Sequence, residues 1–124
     1  KSTLFDILLG FKKDYDGSVF INEMNLRDLN LYELRKKIHL CEQSTNAFWD
    51  TFENNILLGR NLEINKDIVK IFGLSSIENR EIQFSSKNIS GGQKQRLSIL
   101  RTLIDLPNVL IIDESLSGVE NNLR

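Results

Sequence analysis

The 124-residue sequence predicts an α/β fold interrupted by a helical insertion, and three observations carry that prediction. A helical stretch at about 31–37 runs straight into a β-like stretch at 38–41, the helix-then-strand rhythm of α/β proteins. Four successive apolar residues between Pro107 and Asp113, "VLII", have the form of a strand buried on both faces of a parallel sheet. From Ser44 to Asn88 the apolar residues fall at helical spacing, with no convincing strand.

"STLFDILLG" places Leu4, Phe5, Leu8 and Leu9 on or near one helical face and ends at Gly10, suited to a left-handed C-terminal cap. Asp16-Gly17 makes a turn, and Ser18 to Asn22 reads as a short strand. Leu31 and Leu34 carry a helix to about Lys37, and the strand Ile38 to Cys41 follows. Within the insertion, Phe52 and Ile56, then Ile64, Ile68, Ile71 and Phe72, mark helices. Leu97, Leu100, Leu103 and Ile104 stand three and four apart on a strongly amphipathic helix that Pro107 stops. The organisation expected is an incomplete α/β core at 1–43 and 91–124, and a helical subdomain at 44–90.

Composition narrows the partners. Sixteen Lys and Arg against seventeen Asp and Glu leave a net charge of −1, so no broad field draws the chain to polyanions, and no nucleic acid is expected as a partner. Any phosphate binding must then be local. Cys41 is the single cysteine, which forbids an intrachain disulfide and fits a reducing compartment. No apolar run reaches the roughly 18 residues of a membrane span, and no signal peptide is visible. Lys1 stands first without an initiator Met, so preceding residues are expected.

Three stretches carry chemistry. Asp113 and Glu114 follow the strand "VLII", and carboxylates at the carboxyl end of such a strand can hold a hydrated Mg²⁺ and orient a water; a plain loop start explains them about as well. Lys1-Ser2-Thr3 before an amphipathic helix match the end of G-x-x-x-x-G-K-S/T, with Lys1 for phosphate and Ser2 for Mg²⁺; so does any solvated polar terminus. Ser90 and Gln93 fit a capping box. Capping does not explain Gly91 and Gly92, since glycine is about 1 kcal/mol worse than alanine inside a helix. Two glycines at a helix start leave backbone N–H groups open to an anion.

With those residues in view, "ISGGQKQR" resembles the signature sequence of the ATP-binding cassette (ABC) family, LSGGQ followed by a basic residue, Gln and Arg, departing in its core only at Ile89. Lys1-Ser2-Thr3 match the end of its Walker A motif, Gln43 its Q-loop after "IHLCEQ", and "NVLIIDE" its Walker B motif, so the similarity runs the length of the chain. The segment "LYELRKKIHLCEQSTNAFWDTFENNILLG" is similar to the exporter branch, with Phe48, Trp49, Thr51, Phe52, Asn55 and Ile56 in the family's places. "SLSGVE" stands at the D-loop, where Glu120 replaces the usual Asp. The P-loop glycines, the adenine-stacking aromatic and the switch histidine of the family have no counterpart here; His39, in a strand, is expected to be structural.

The resemblance implies a partial P-loop NTPase (RecA-like) core with an inserted α-helical subdomain: the nucleotide-binding domain of an exporter, truncated at both ends, at the cytoplasmic face of the cell membrane. It implies ATP and Mg²⁺ as cofactors. Lys1, Ser2 and Thr3 would serve the phosphates; Ser2, Gln43 and Asp113 the metal; Glu114 the attacking water as general base, with Gln43 coupling to transport. Ser90, Gly91, Gly92 and Gln93 would contact the γ-phosphate held by a second nucleotide-binding domain in a head-to-tail dimer. Phe52 and Ile56 suit the subdomain core, whereas Phe48 and Trp49 suit a surface that receives transmembrane domains. Without the glycine loop, the 124-residue chain alone is expected to be inactive. The rival expectation is a non-catalytic truncated cassette acting as a protein-interaction module; a soluble cassette protein without a transporter fits the exporter-like segment less well. The transported substrate is not written in these residues.

Overall fold

The computed structural model describes residues 2–42, 46–83 and 86–113. The described residues divide into two compact units, one within 2–40 and 107–111, the other within 41–106 and 112–113.

The first unit opens with α1 (Ser2–Leu8), and the chain leaves it through Gly10 at φ +70°. Glycine suits that position on two counts. The left-handed conformation disfavours a side chain, and a Cβ would also collide with the side chain of Leu31. After a bend at Gly17 (φ +87°), β1 (Phe20–Ile21) pairs antiparallel with β2 (Met24–Asn25). Asn22 and Glu23, both at positive φ, form the hairpin turn between them, so the strand expected at 18–22 is shorter. A single 3₁₀ turn, Leu26–Asp28, leads to α2 (Leu31–Lys37). The Asn30 carboxamide caps α2 by accepting from the amides of Tyr32 and Glu33, and Arg35, Lys36 and Lys37 fill its last turn, where cations suit the helix dipole. The backbone then passes directly into β3 (Ile38–Cys41), which pairs with β6 (Val109–Ile112) in a two-stranded sheet. Leu9, Leu26, Leu34 and Ile38 form the core of this unit.

The sequence led us to expect β6 to be buried on both faces, and it is not: Val109 is 49% and Ile112 41% exposed. A continuous apolar run shows which environment a strand suits. Burial depends on neighbours, and among the described residues β6 pairs with one strand.

In the second unit, α3 (Phe52–Leu57), α4 (Lys66–Ile71) and α5 (Gly91–Leu103) are capped by Thr51, Asn65 and Ser90 in turn. Phe52, Ile56, Val69, Leu74, Ile77, Ile82, Leu97 and Leu100 are buried together in one core, in which α3 packs on α5. Phe52 and Ile56 are therefore core residues, as their spacing suggested. Ile71 is not; it is 80% exposed, and Val69 carries the buried face of α4. The expectation of no strand between residues 44 and 88 is also corrected. Here β4 (Asp50–Thr51) pairs antiparallel with β5 (Glu81–Ile82). Two-residue strands are too short to display an alternating pattern. The helix α5 ends at Leu103, ahead of Pro107, and Leu106 at φ +49° closes the turn with its amide on the Leu103 carbonyl at 2.9 Å.

Candidate functional site

The start of α5 gathers four of the residues singled out by sequence. Ser90 Oγ accepts the Gln93 amide at 3.2 Å, while Gln93 Oε1 accepts the Ser90 amide at 2.8 Å, so the capping box is complete. Gln93 Nε2 also donates to Ser76 Oγ at 3.2 Å, fixing the glutamine side chain from outside the helix. First-turn amides have no intrahelical acceptor. The box occupies those of Ser90 and Gln93, and among the described residues nothing accepts from those of Gly91 and Gly92. A Cβ built on either glycine meets nothing within 4 Å. Packing among the described residues therefore does not require glycine at these positions, and the turn has no acidic side chain to repel an anion.

The other predicted residues are placed as follows. Ser2 and Thr3 stand exposed in the first turn of α1. Asp113 follows β6 directly, half-buried, with its amide donating to the Cys41 carbonyl at 3.0 Å. Lys1, Gln43, Glu114 and the D-loop residues Ser117, Gly118, Val119 and Glu120 lie outside the described residues. Among the described residues, no three His, Cys, Asp or Glu side chains are grouped to hold a metal ion. None of the described helices is long and apolar enough to cross a membrane.

A second surface lies on the same unit. Phe48, Trp49 and Leu58 are 51%, 68% and 52% exposed, and Phe48 and Leu58 line a cleft of about 460 Å³ with Asp50, Asn54 and Gly59. Trp49 Nε1 is tied to Glu81 Oε1 at 2.9 Å. Underneath, the buried Asn55 carboxamide accepts from the Phe48 amide at 2.7 Å and donates to the carbonyls of Phe48, Thr51 and Asp50 at 3.0, 2.9 and 3.3 Å. Arg101 of α5 donates to the Asn55 and Asn46 carbonyls at 2.6 and 3.0 Å, and its guanidinium lies 5.2 Å from the centre of the Phe48 ring. Burial, and then the charge of Arg60, push the Arg101 pKa below its ordinary value, with Cys41 opposing.

Sequence reasoning placed Asn55 in a pattern without a task and overlooked Arg101 and Arg60. One signal was available. Arg101 stands four residues after Leu97 and three before Ile104, a cation on the buried stripe of an amphipathic helix.

A family model described as ABC transporter matches residues 1–117. A putative export ATP-binding/permease protein of Rickettsia typhi is 35% identical, across 97% of this chain and 23% of its own length. The microcin-J25 export ATP-binding/permease protein McjD of Escherichia coli is 32% identical, across 97% of this chain and 22% of its own. The solved structure of a bacterial Atm1-family ABC exporter with ATP bound superposes with a TM-score of 0.82 at 26% identity, covering 98% of this chain and 23% of that one. The chain thus spans less than a quarter of the length of these relatives.

Proposed function

This chain belongs to the ABC transporter family, whose ATP-binding domains are ATPases with an α/β P-loop NTPase fold; from that premise we propose that it works as the ATP-hydrolysing part of an exporter. The observation that carries the proposal is the start of α5, where a complete capping box frames two glycines that packing among the described residues does not need. Their amides, at the positive end of a 13-residue helix, suit a phosphate. Side chains larger than hydrogen would stand in the way of a second protein surface.

On this reading, bound ATP would supply the phosphoryl group, and Mg²⁺ at the site would supply positive charge to offset what develops on it. Lys1, Ser2 and Thr3 would hold phosphate oxygens, and Ser2, Gln43 and Asp113 would hold the metal, Asp113 through water. Glu114 orients the attacking water and takes its proton. Ser90, Gly91, Gly92 and Gln93 complete the site of a second such domain, so that two copies close head to tail around nucleotide. The exposed aromatic surface at Phe48 and Trp49 receives transmembrane domains, with the ATP-hydrolysing part at the cytoplasmic face of the membrane. The relatives named as ATP-binding/permease proteins support that partnership.

The test is Glu114→Gln in the protein as its gene encodes it. The amide keeps the shape but cannot act as a base, so ATP binding persists and steady-state phosphate release stops. Undiminished release from the variant overturns the assignment.

A further inference from the structure

We propose that Arg101 is a positioning residue: it fastens the Phe48–Trp49–Leu58 surface to α5, so that this surface moves with the helix that begins at Gly91. The geometry starts at the carboxyl end of α3, a helix of six residues, where the last carbonyls lack intrahelical donors. Two guanidiniums take three consecutive carbonyls there. Arg101 Nε donates to Asn55 at 2.6 Å, Arg60 Nη2 to Ile56 at 2.7 Å and Arg60 Nε to Leu57 at 2.8 Å. Arg60 is itself anchored on the end of α5, through the Arg101 carbonyl at 3.0 Å and Asp105 just beyond the helix at 3.1 Å.

The other arm of the Arg101 fork reaches the opposite end of the turn. Nη1 donates to the Asn46 carbonyl at 3.0 Å, and the plane stands over Phe48. One rigid group thereby holds residues 46 and 55 at once, and Asn55 ties the backbone of residues 48, 50 and 51 between them. Lysine offers one ammonium and no plane, so it cannot span both ends. The arrangement sets two like charges side by side in a half-buried place, with the Asp105 carboxylate paired to Arg60. Holding a geometry gives it a reason.

The bonds stand by themselves, but the functional consequence rests on the proposed docking of transmembrane domains at this surface. The two are tested separately. Trp49 is the chain's only tryptophan, so its fluorescence anisotropy reports on the turn, and amide hydrogen exchange reads the turn and α5 together. In Arg101→Lys we expect the Phe48 and Leu58 amides to exchange about tenfold faster, with amides at the centre of α5 changing less than about twofold, and the Trp49 anisotropy to fall. Acceleration that is equal throughout the unit marks a merely stabilising arginine and overturns the proposal, as does wild-type exchange at the turn.

Should Arg101→Lys fail to fold, Phe48→Leu removes the ring under the guanidinium while keeping an apolar side chain. It is expected to lower the Trp49 anisotropy with the α5 amides unchanged, and an unchanged anisotropy counts against the fastening. The docking reading is probed by Trp49→Ser in the membrane-bound protein as encoded, where ATP binding should persist and hydrolysis should lose its dependence on the membrane domains. Failure of that experiment leaves the exchange result standing.

Discussion

Asn55 is fully buried, and its carboxamide makes hydrogen bonds to the backbone of residues 48, 50 and 51. Asn55→Asp keeps the acceptor and the shape but sets a carboxylate against three carbonyls that have lost their donor, with the Arg101 guanidinium 3.5 Å away in partial compensation. We expect it to lower stability by about 3 kcal/mol, the cost of buried polar groups left unpaired, read as a fall in the urea midpoint with an unchanged slope. A loss below about 1 kcal/mol would mean that those carbonyls find other donors. The asparagine itself was visible in the sequence as part of a pattern. Its task was not, because its partners are backbone groups brought round by a turn that leaves no side-chain signature. Gly92 is the opposite case, legible because two glycines at a helix start contradict helix propensity. Gly92→Ala meets open space and should stabilise the helix by up to about 1 kcal/mol, while Gly92→Asp adds about 0.3–1 kcal/mol through the dipole. Both should nevertheless weaken the proposed ATP-driven dimerisation of the protein as encoded, with the aspartate abolishing it. Sedimentation at wild-type ATP concentrations is the check, and a dimer formed by Gly92→Asp refutes the role given to this turn.

Elements were legible where their boundaries are written in local chemistry. The helix α2 and strand β3 occupy the residues expected of them, because Asn30 caps the start, cations fill the last turn, and Ile38 turns extended at φ −119°. The capping box placed the start of α5 equally well. Ser90→Ala should cost about 1 kcal/mol through the loss of the acceptor for the Gln93 amide, measured as a lowered thermal midpoint. A loss indistinguishable from zero would show that the Gln93 contact to Ser76 holds the turn alone. Elements that depend on distant partners were not legible. The β4–β5 ladder joins residues 50–51 to 81–82, and neither pair has a strand's pattern. Likewise, the turn at Asn22-Glu23 lacks the glycine that normally announces a hairpin.

Across the whole molecule, stability should be uneven, because the two compact units carry cores of different size. Leu9, Leu26, Leu34 and Ile38 make the buried core of the first, whereas the second joins residues from α3, α4, β5 and α5 with Leu74, Ile77 and Ile89. Burial of apolar surface stabilises by roughly 25 cal/mol per Å², so the unit with fewer buried side chains opens more readily. The second unit holds α5 together with α3 and α4. An amphipathic stripe shows that a helix has a buried face but not which neighbours cover it. Native-state hydrogen exchange should therefore give amides of α2 a lower opening free energy than amides of α5. A single methylene deletion then tests whether the units open separately. Ile56 is 0% exposed, and Ile56→Val should remove about 1 kcal/mol from the unit that contains it. We expect that loss in full at the central amides of α5 and not at those of α2, since α2 already exchanges through an opening in which the second core stays closed. An equal loss in both helices would make the chain one cooperative unit, and the two cores would then be a matter of geometry without separate stabilities.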